Sequence, residues 1–137
     1  MAEAVLIDTG PLVAFFNRSD KWHDWAKKTM SEIQPPLITC EAVLSETLFL
    51  VKNNPAVVRA LHSMIQENII SVEPALSNPG NHVLESVLKY SDLPGSLADL
   101  SLVYLYEMQP KAFILTLDSD FHIYRDSKNR ALRLRKP

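Results

Sequence analysis

Ala4-Val5-Leu6-Ile7-Asp8-Thr9-Gly10-Pro11-Leu12 begins with a short apolar run, partly β-branched, that stops at an acid and a turn-forming segment. The run reads as a buried strand, and Asp-Thr-Gly-Pro as the turn that ends it. Pro11 suits the first turn of a helix, where its missing N–H has no partner to lose, and Leu12 to Phe16 continue that helix. Ala112-Phe113-Ile114-Leu115-Thr116-Leu117 repeats the pattern and stops at Asp118. Leu37-Ile38-Thr39 and Ile69-Ile70-Ser71-Val72 are shorter strand candidates, and Ala131 to Leu134 is a last one.

Helical stretches separate these strands. Ser19 or Asp20 would cap a helix through Trp22, Trp25 and Ala26, which Pro35-Pro36 stops. Thr39 stands where it would cap a helix beginning near Glu41. That helix is apolar on nearly every side (Ala42, Val43, Leu44, Leu48, Phe49, Leu50, Val51), so it is expected to be buried. Pro55 opens another helix to about Gln66. Asn78-Pro79 opens one with Val83, Val87 and Leu88 at helical spacing. After a break at Leu93-Pro94-Gly95, Ser96 to Met108 is a further, strongly apolar helix. Strands alternating with helices imply parallel pairing through crossovers, hence a three-layer α/β/α fold with a central parallel sheet. Ligands in such sheets bind beyond the carboxyl ends of the strands, where Asp8 and Asp118 both fall.

The 137 residues fit one domain, 1–137, with no repeat or linker. Hydrophobic residues make up 47% and charged residues 22%, enough for a packed core. Cys40 is the only cysteine, so no internal disulfide forms and a reducing, cytoplasmic setting is expected. One cysteine and four scattered histidines argue against zinc, and the three glycines build no phosphate loop. No apolar run suits a membrane span, and the first residues do not read as a signal peptide. The net charge of −2 is unevenly placed: residues 121–137 hold six Lys/Arg against Asp126 alone. A basic tail on an acidic body can meet a polyanion, or be an ordinary solvated terminus.

Four acids have apolar company: Asp8, Glu46, Asp99 and Asp118. None has a Lys or Arg within four residues on either side, so the helical ion pair is unavailable to Glu46 and Asp99. An unpaired carboxylate in apolar surroundings is unfavourable by several kcal/mol in rough terms, or takes up a proton. A hard divalent cation, Mg²⁺ or Mn²⁺, held by oxygen ligands resolves this and can activate water against a phosphate. Each acid also has a bland reading. Asp8 suits a turn or a helix cap, and Asp99 follows Ser96 at capping-box spacing. Asp118 and Asp120 suit caps of the next turn. Glu46 is too deep in its helix to cap, leaving a distant salt bridge or a snorkelling chain as its ordinary explanation. Thr9 and Thr116 stand beside Asp8 and Asp118 and could orient ligands or water.

The segments Leu6-Ile7-Asp8-Thr9, Leu44-Ser45-Glu46-Thr47-Leu48, Asp92 to Asp99 and Thr116-Leu117-Asp118-Ser119-Asp120-Phe121 together resemble the motifs of PIN-domain nucleases, in order and across nearly the whole chain. In size the chain is similar to the toxin members of VapBC-type toxin–antitoxin pairs. The resemblance implies a PIN-like α/β/α fold, metal-dependent ribonuclease activity leaving 5′-phosphate and 3′-hydroxyl ends, frequent homodimers and a possible antitoxin partner. Carried over by position, Asp8, Glu46, Asp99 and Asp118 form the catalytic metal cluster, with Thr116 supporting it and Asp120 a secondary acid. Many relatives carry a further acid where this chain has Ser96, so one tightly bound metal is expected. Arg125, Lys128, Arg130 and Arg133 would contact RNA phosphates, with marked salt dependence.

Other readings compete. A PIN-like RNA-binding or regulatory module without turnover would share these motifs. Asp8-Thr9-Gly10 spells the aspartic protease signature, but such enzymes need a β-rich chain and a paired aspartate. A haloacid-dehalogenase phosphatase wants a second Asp two residues after the first, where this chain has Gly10.

Overall fold

A computed structural model, which describes residues 3–93 and 96–137, places β1 (Ala4–Ile7) at the centre of a five-stranded parallel sheet. The strand order is β3-β2-β1-β4-β5, with β2 at Leu37–Thr39, β3 at Ile70–Val72, β4 at Ala112–Leu115 and β5 at Leu134–Arg135. Among the described residues six helices complete a three-layer α/β/α fold: α1 (Thr9–Phe16), α2 (His23–Glu32), α3 (Glu41–Leu50), α4 (Pro55–Gln66), α5 (Val83–Lys89) and α6 (Leu97–Glu107). Ile7 lies opposite Leu115, so the residues following β1 and β4 emerge side by side. The chain reverses its direction of sheet growth between these two strands, which opens a crevice there. β4 is buried at every residue and β1 at Val5, Leu6 and Ile7, the pattern of strands covered on both faces. Leu12, Val43, Leu100 and Leu102 meet them from the helices.

Most elements lie where the periodicity predicts, and the differences have local causes. Thr39 does not cap α3: its hydroxyl donates to the Ile7 carbonyl at 3.0 Å, stitching β2 to the end of β1, and Cys40 occupies the cap position without a side-chain bond. The α2 helix starts at His23, because Asp20 Oδ1 accepts from the Trp22 N–H and holds the preceding segment in a turn. Asn78-Pro79 begins a turn rather than a helix. Asn81 anchors that turn through Leu76 and Asn78 carbonyls, and α5 starts only at Val83. The final strand is Leu134–Arg135, and Ala131 instead bridges Arg125 in antiparallel fashion. Pro94 and Gly95 of the expected break lie outside the described residues, as do Met1 and Ala2.

The largest correction concerns α3. It is not buried all round: only Val43 and Thr47 are buried, whereas Phe49 and Leu50 are 76% and 55% exposed. The helix packs one side against α1 and α6 and leaves Phe49 and Leu50 at its end exposed to solvent. By contrast α4 is plainly amphipathic and well capped. Asn54 Oδ1 accepts from the N–H groups of Ala56 and Val57, and Pro55 occupies the first turn. Asn54→Ala is expected to cost about 1 kcal/mol of stability in urea unfolding, the usual worth of such a cap.

Candidate active site

The crevice between β1 and β4 is a cleft of about 310 Å³ lined by Asp8, Asp20, Glu46, Asp99 and Asp118, with Thr9, Gly10, Val13, Leu50 and Leu117 between them. Each acid arrives on a different element: Asp8 directly after β1, Glu46 from the middle of α3, Asp99 from the first turn of α6, Asp118 from the turn after β4, and Asp20 from the α1–α2 connection. Among the described residues none of them forms a salt bridge with Lys, Arg or His.

Asp8 is buried, and its side chain does not cap α1. Its Oδ2 instead accepts from the Thr116 hydroxyl at 2.8 Å, and the same hydroxyl oxygen accepts from the Asp118 N–H at 3.0 Å. Thr116, fully buried, thus ties the two strand ends together. Thr9 is also buried at the cleft, and its hydroxyl has no hydrogen-bond partner among the described residues. Gly10 admits the close approach of the loop after β4, since a Cβ there would meet Leu117 Cβ at 3.1 Å.

Asp99 occupies both expected relationships. Ser96 caps α6 by accepting from the Asp99 N–H at 3.1 Å, while the Asp99 carboxylate faces the cleft and accepts from the Tyr124 hydroxyl at 2.9 Å. Tyr124 is fully buried, edge-on to Phe121 and Tyr90 with ring centroids 5.3 and 5.0 Å away. Asp118 opens a short 3-10 helix, Ser119–His122, by accepting from the Asp120 N–H at 2.9 Å. Carboxylate oxygens of Asp99, Asp118 and Asp120 lie within 4.8 Å of one another.

The electrostatics follow from burial and crowding. Loss of water raises the Asp8 pKa to about 7, with the Asp99 charge pushing the same way against hydrogen bonds from the Thr9 backbone N–H and the Thr116 hydroxyl. Burial likewise raises Asp99 to about 6, with the Tyr124 hydroxyl opposing it and the Asp118 and Glu46 charges adding to it. Burial, reinforced by the Asp99 charge, also pushes the Tyr124 hydroxyl well above its ordinary value, so it remains a donor. The donor set fits a hard divalent cation: three carboxylates converge, a fourth is destabilised nearby, and no cationic side chain among the described residues pairs with them.

The structure therefore brings Asp8, Glu46, Asp99 and Asp118 to one cleft, with Thr9 and Thr116 among them and Ser96 holding the α6 end. Asp120 joins Asp99 and Asp118 more closely than a peripheral acid would. The four basic residues are absent from this cleft. Arg125 directs its guanidinium to the His122, Ile123 and Tyr124 carbonyls, while Lys128, Arg130 and Arg133 line a different cavity. Asp20 and Tyr124 were missed by sequence reasoning. Asp20 reads as a turn residue in a polar segment, and the only signal for Tyr124 is the general need of a buried tyrosine for a polar partner.

Among the described residues no helix is long and apolar enough to cross a membrane. No curated protein matches the chain by sequence. Among solved structures the chain is similar to VapC20 of Mycobacterium tuberculosis, described as a sarcin-ricin loop cleaving toxin. The TM-score is 0.72 and the identity 21%, over 85% of this chain and 92% of that one. A family model described as PIN domain matches residues 5–126, a span that takes in every element contributing an acid to the cleft, and the chain accordingly belongs to the PIN domain family.

Proposed function

We propose that the protein is a ribonuclease that hydrolyses RNA phosphodiester bonds with the help of Mg²⁺ or Mn²⁺. The observation that carries this reading is the convergence of Asp8, Glu46, Asp99 and Asp118 on one cleft, with no cationic side chain among the described residues paired to them. Asp99, Asp118 and Asp120 would hold the ion most directly, with Asp8 alongside. Bound there, such an ion lowers the pKa of a water and offsets charge on the phosphate. Glu46, half-buried and lining the same cleft, would orient a water there and accept its proton at a carboxylate oxygen. Thr116 fixes the Asp8 carboxylate through its hydroxyl. Family membership and the fold shared with a sarcin-ricin loop cleaving toxin support RNA as substrate and a toxin role with an antitoxin partner. A homodimer and a cytoplasmic location belong to the same proposal.

The test is cleavage of end-labelled RNA by the purified chain with Mn²⁺, and with EDTA as control. Cleavage only with metal is expected. RNA binding without turnover at any Mn²⁺ concentration would overturn the proposal in favour of a regulatory module. Tyr124→Phe provides a finer check. It keeps the ring packing but removes the donor to Asp99, and Mn²⁺ affinity measured by calorimetry is expected to fall roughly tenfold, the lower end for loss of a ligand's hydrogen-bond partner.

A further inference from the structure

Five exposed cations lie on or beside one margin of the sheet, Lys111, Lys128, Arg130, Arg133 and Lys136, whereas the Arg135 guanidinium turns onto the sheet face, 4.2 Å from the Phe113 ring centroid. That margin is β5, which among the described residues pairs with β4 alone. Leu134 lies opposite Ile114 and Arg135 opposite Leu115, so Arg133 falls toward the amino ends of the strands and Lys136 toward the carboxyl ends. The Thr116 N–H donates to the Arg135 carbonyl at 3.3 Å, which puts Lys136 at the level of the acidic cleft. Lys136 Nζ lies 2.8 Å from His122 Nε2, on the 3-10 helix that carries Asp120. At the other end Lys111, Lys128, Arg130 and Arg133 converge on a cavity of about 520 Å³.

These cations have weak competitors. Arg130 pairs with Asp126 at 3.0 Å, and Glu3 is shared between Arg133 at 3.0 Å and Lys111 at 3.7 Å. All three cations are exposed, and such pairs contribute about 0–1 kcal/mol, so a phosphate can replace the carboxylate. Glu107, which also lines the cavity, is held by His82 and the Ser127 N–H. The chain as a whole has a net charge of −2, so this strip stands against the average field of the molecule.

We propose that the β5 margin is a track for the backbone of single-stranded RNA, running from the cleft past Lys136 to the cavity formed by Lys111, Lys128, Arg130 and Arg133. This rests on the ribonuclease reading and adds the path of the substrate. A charged strip that follows one backbone is the usual way single strands are held without sequence preference.

The experiment measures binding of a labelled oligouridylate in EDTA by anisotropy across a salt series. Lys128→Ala/Arg130→Ala/Arg133→Ala is expected to weaken binding at least tenfold and to make the log–log salt slope shallower by about two, at about 0.7 per lost contact. Lys27→Ala/Lys28→Ala/Arg59→Ala removes the same charge from exposed positions on α2 and α4 and is expected to change binding little. Lys111→Ala, outside the C-terminal segment, should weaken binding in the same direction as the first triple. Equal losses in both triples would overturn the track, leaving only a long-range field. Loss of polyglutamate binding with oligouridylate binding intact would overturn it in favour of an acidic protein partner. Failure of the ribonuclease reading is seen separately, as absence of Mn²⁺-dependent cleavage in the unmodified chain whatever the triples do.

Discussion

Asp8→Asn is expected to abolish RNA cleavage and, at the same time, to raise the stability of the metal-free protein at pH 8. The two effects share one cause. Asp8 is buried beside Asp99 and Asp118, and its pKa of about 7 against an ordinary 3.8 means that its charge is unfavourable in the folded state. Asparagine keeps the acceptor for the Thr116 hydroxyl and removes that charge. A gain of about 1–3 kcal/mol is expected, below the full worth of the raised pKa at roughly 1.4 kcal/mol per pH unit. Loss of the carboxylate also removes an electrostatic contribution of several kcal/mol to a metal-assisted reaction, on the order of a thousandfold in rate. Thermal unfolding in EDTA and single-turnover cleavage in Mn²⁺ measure the two halves. A variant that cuts RNA and melts lower than its parent would remove Asp8 from the site. Opposite signs for stability and activity mark a group kept for chemistry rather than for packing.

How much of this was legible in the sequence differs from residue to residue. Asp8 and Asp118 were readable because two apolar runs end at them and parallel strands bring such ends to one edge; the facing of Ile7 and Leu115 is that inference made concrete. Glu46 was readable by subtraction, since neither a cap nor a local cation accounts for it. Asp99 looked equally like a cap and a ligand, and its N–H and carboxylate divide the two roles between Ser96 and the cleft. Phe49 and Leu50 misled, because local apolarity does not say which neighbours arrive, and these two residues at the end of α3 stay largely exposed. The basic tail was visible as a charge count, but its placement was not. Only the β4–β5 register shows that the tail runs down the sheet margin while Arg125 closes the 3-10 helix. Asp20 reaches the cleft from beyond the far end of α1, and buried Tyr124 reaches the cleft acid Asp99 across 25 positions of chain, which no periodicity reports.

The second large effect is a pH dependence opposite to that of most salt-bridged proteins. Asp8 and Asp99 have folded pKa values of about 7 and about 6, both raised from 3.8 chiefly by burial. Between about pH 4 and pH 7 the folded chain therefore holds more protons than the unfolded one, and stability falls as pH rises. Their contribution is fully present below 3.8 and is lost as pH climbs through 6 and then 7. In EDTA the unfolding free energy is expected to drop by about 3 kcal/mol from pH 5 to pH 8, at roughly 1.4 kcal/mol per proton per pH unit and discounting for the mutual repulsion of the pair. Mn²⁺ competes with protons for the same oxygens, so it should restore stability most at pH 8. A hundredfold excess over its dissociation constant gives about 2.7 kcal/mol, and the gain should shrink toward pH 5 as the carboxyls protonate. Urea unfolding at the two pH values, with and without Mn²⁺, reads all four corners of this cycle. In Asp8→Asn the metal-free curve should flatten, because the more strongly raised of the two carboxyls is gone. A metal-free stability that rises from pH 5 to pH 8, or a Mn²⁺ gain that is equal at both, would mean that these carboxyls are not the ones under electrostatic load.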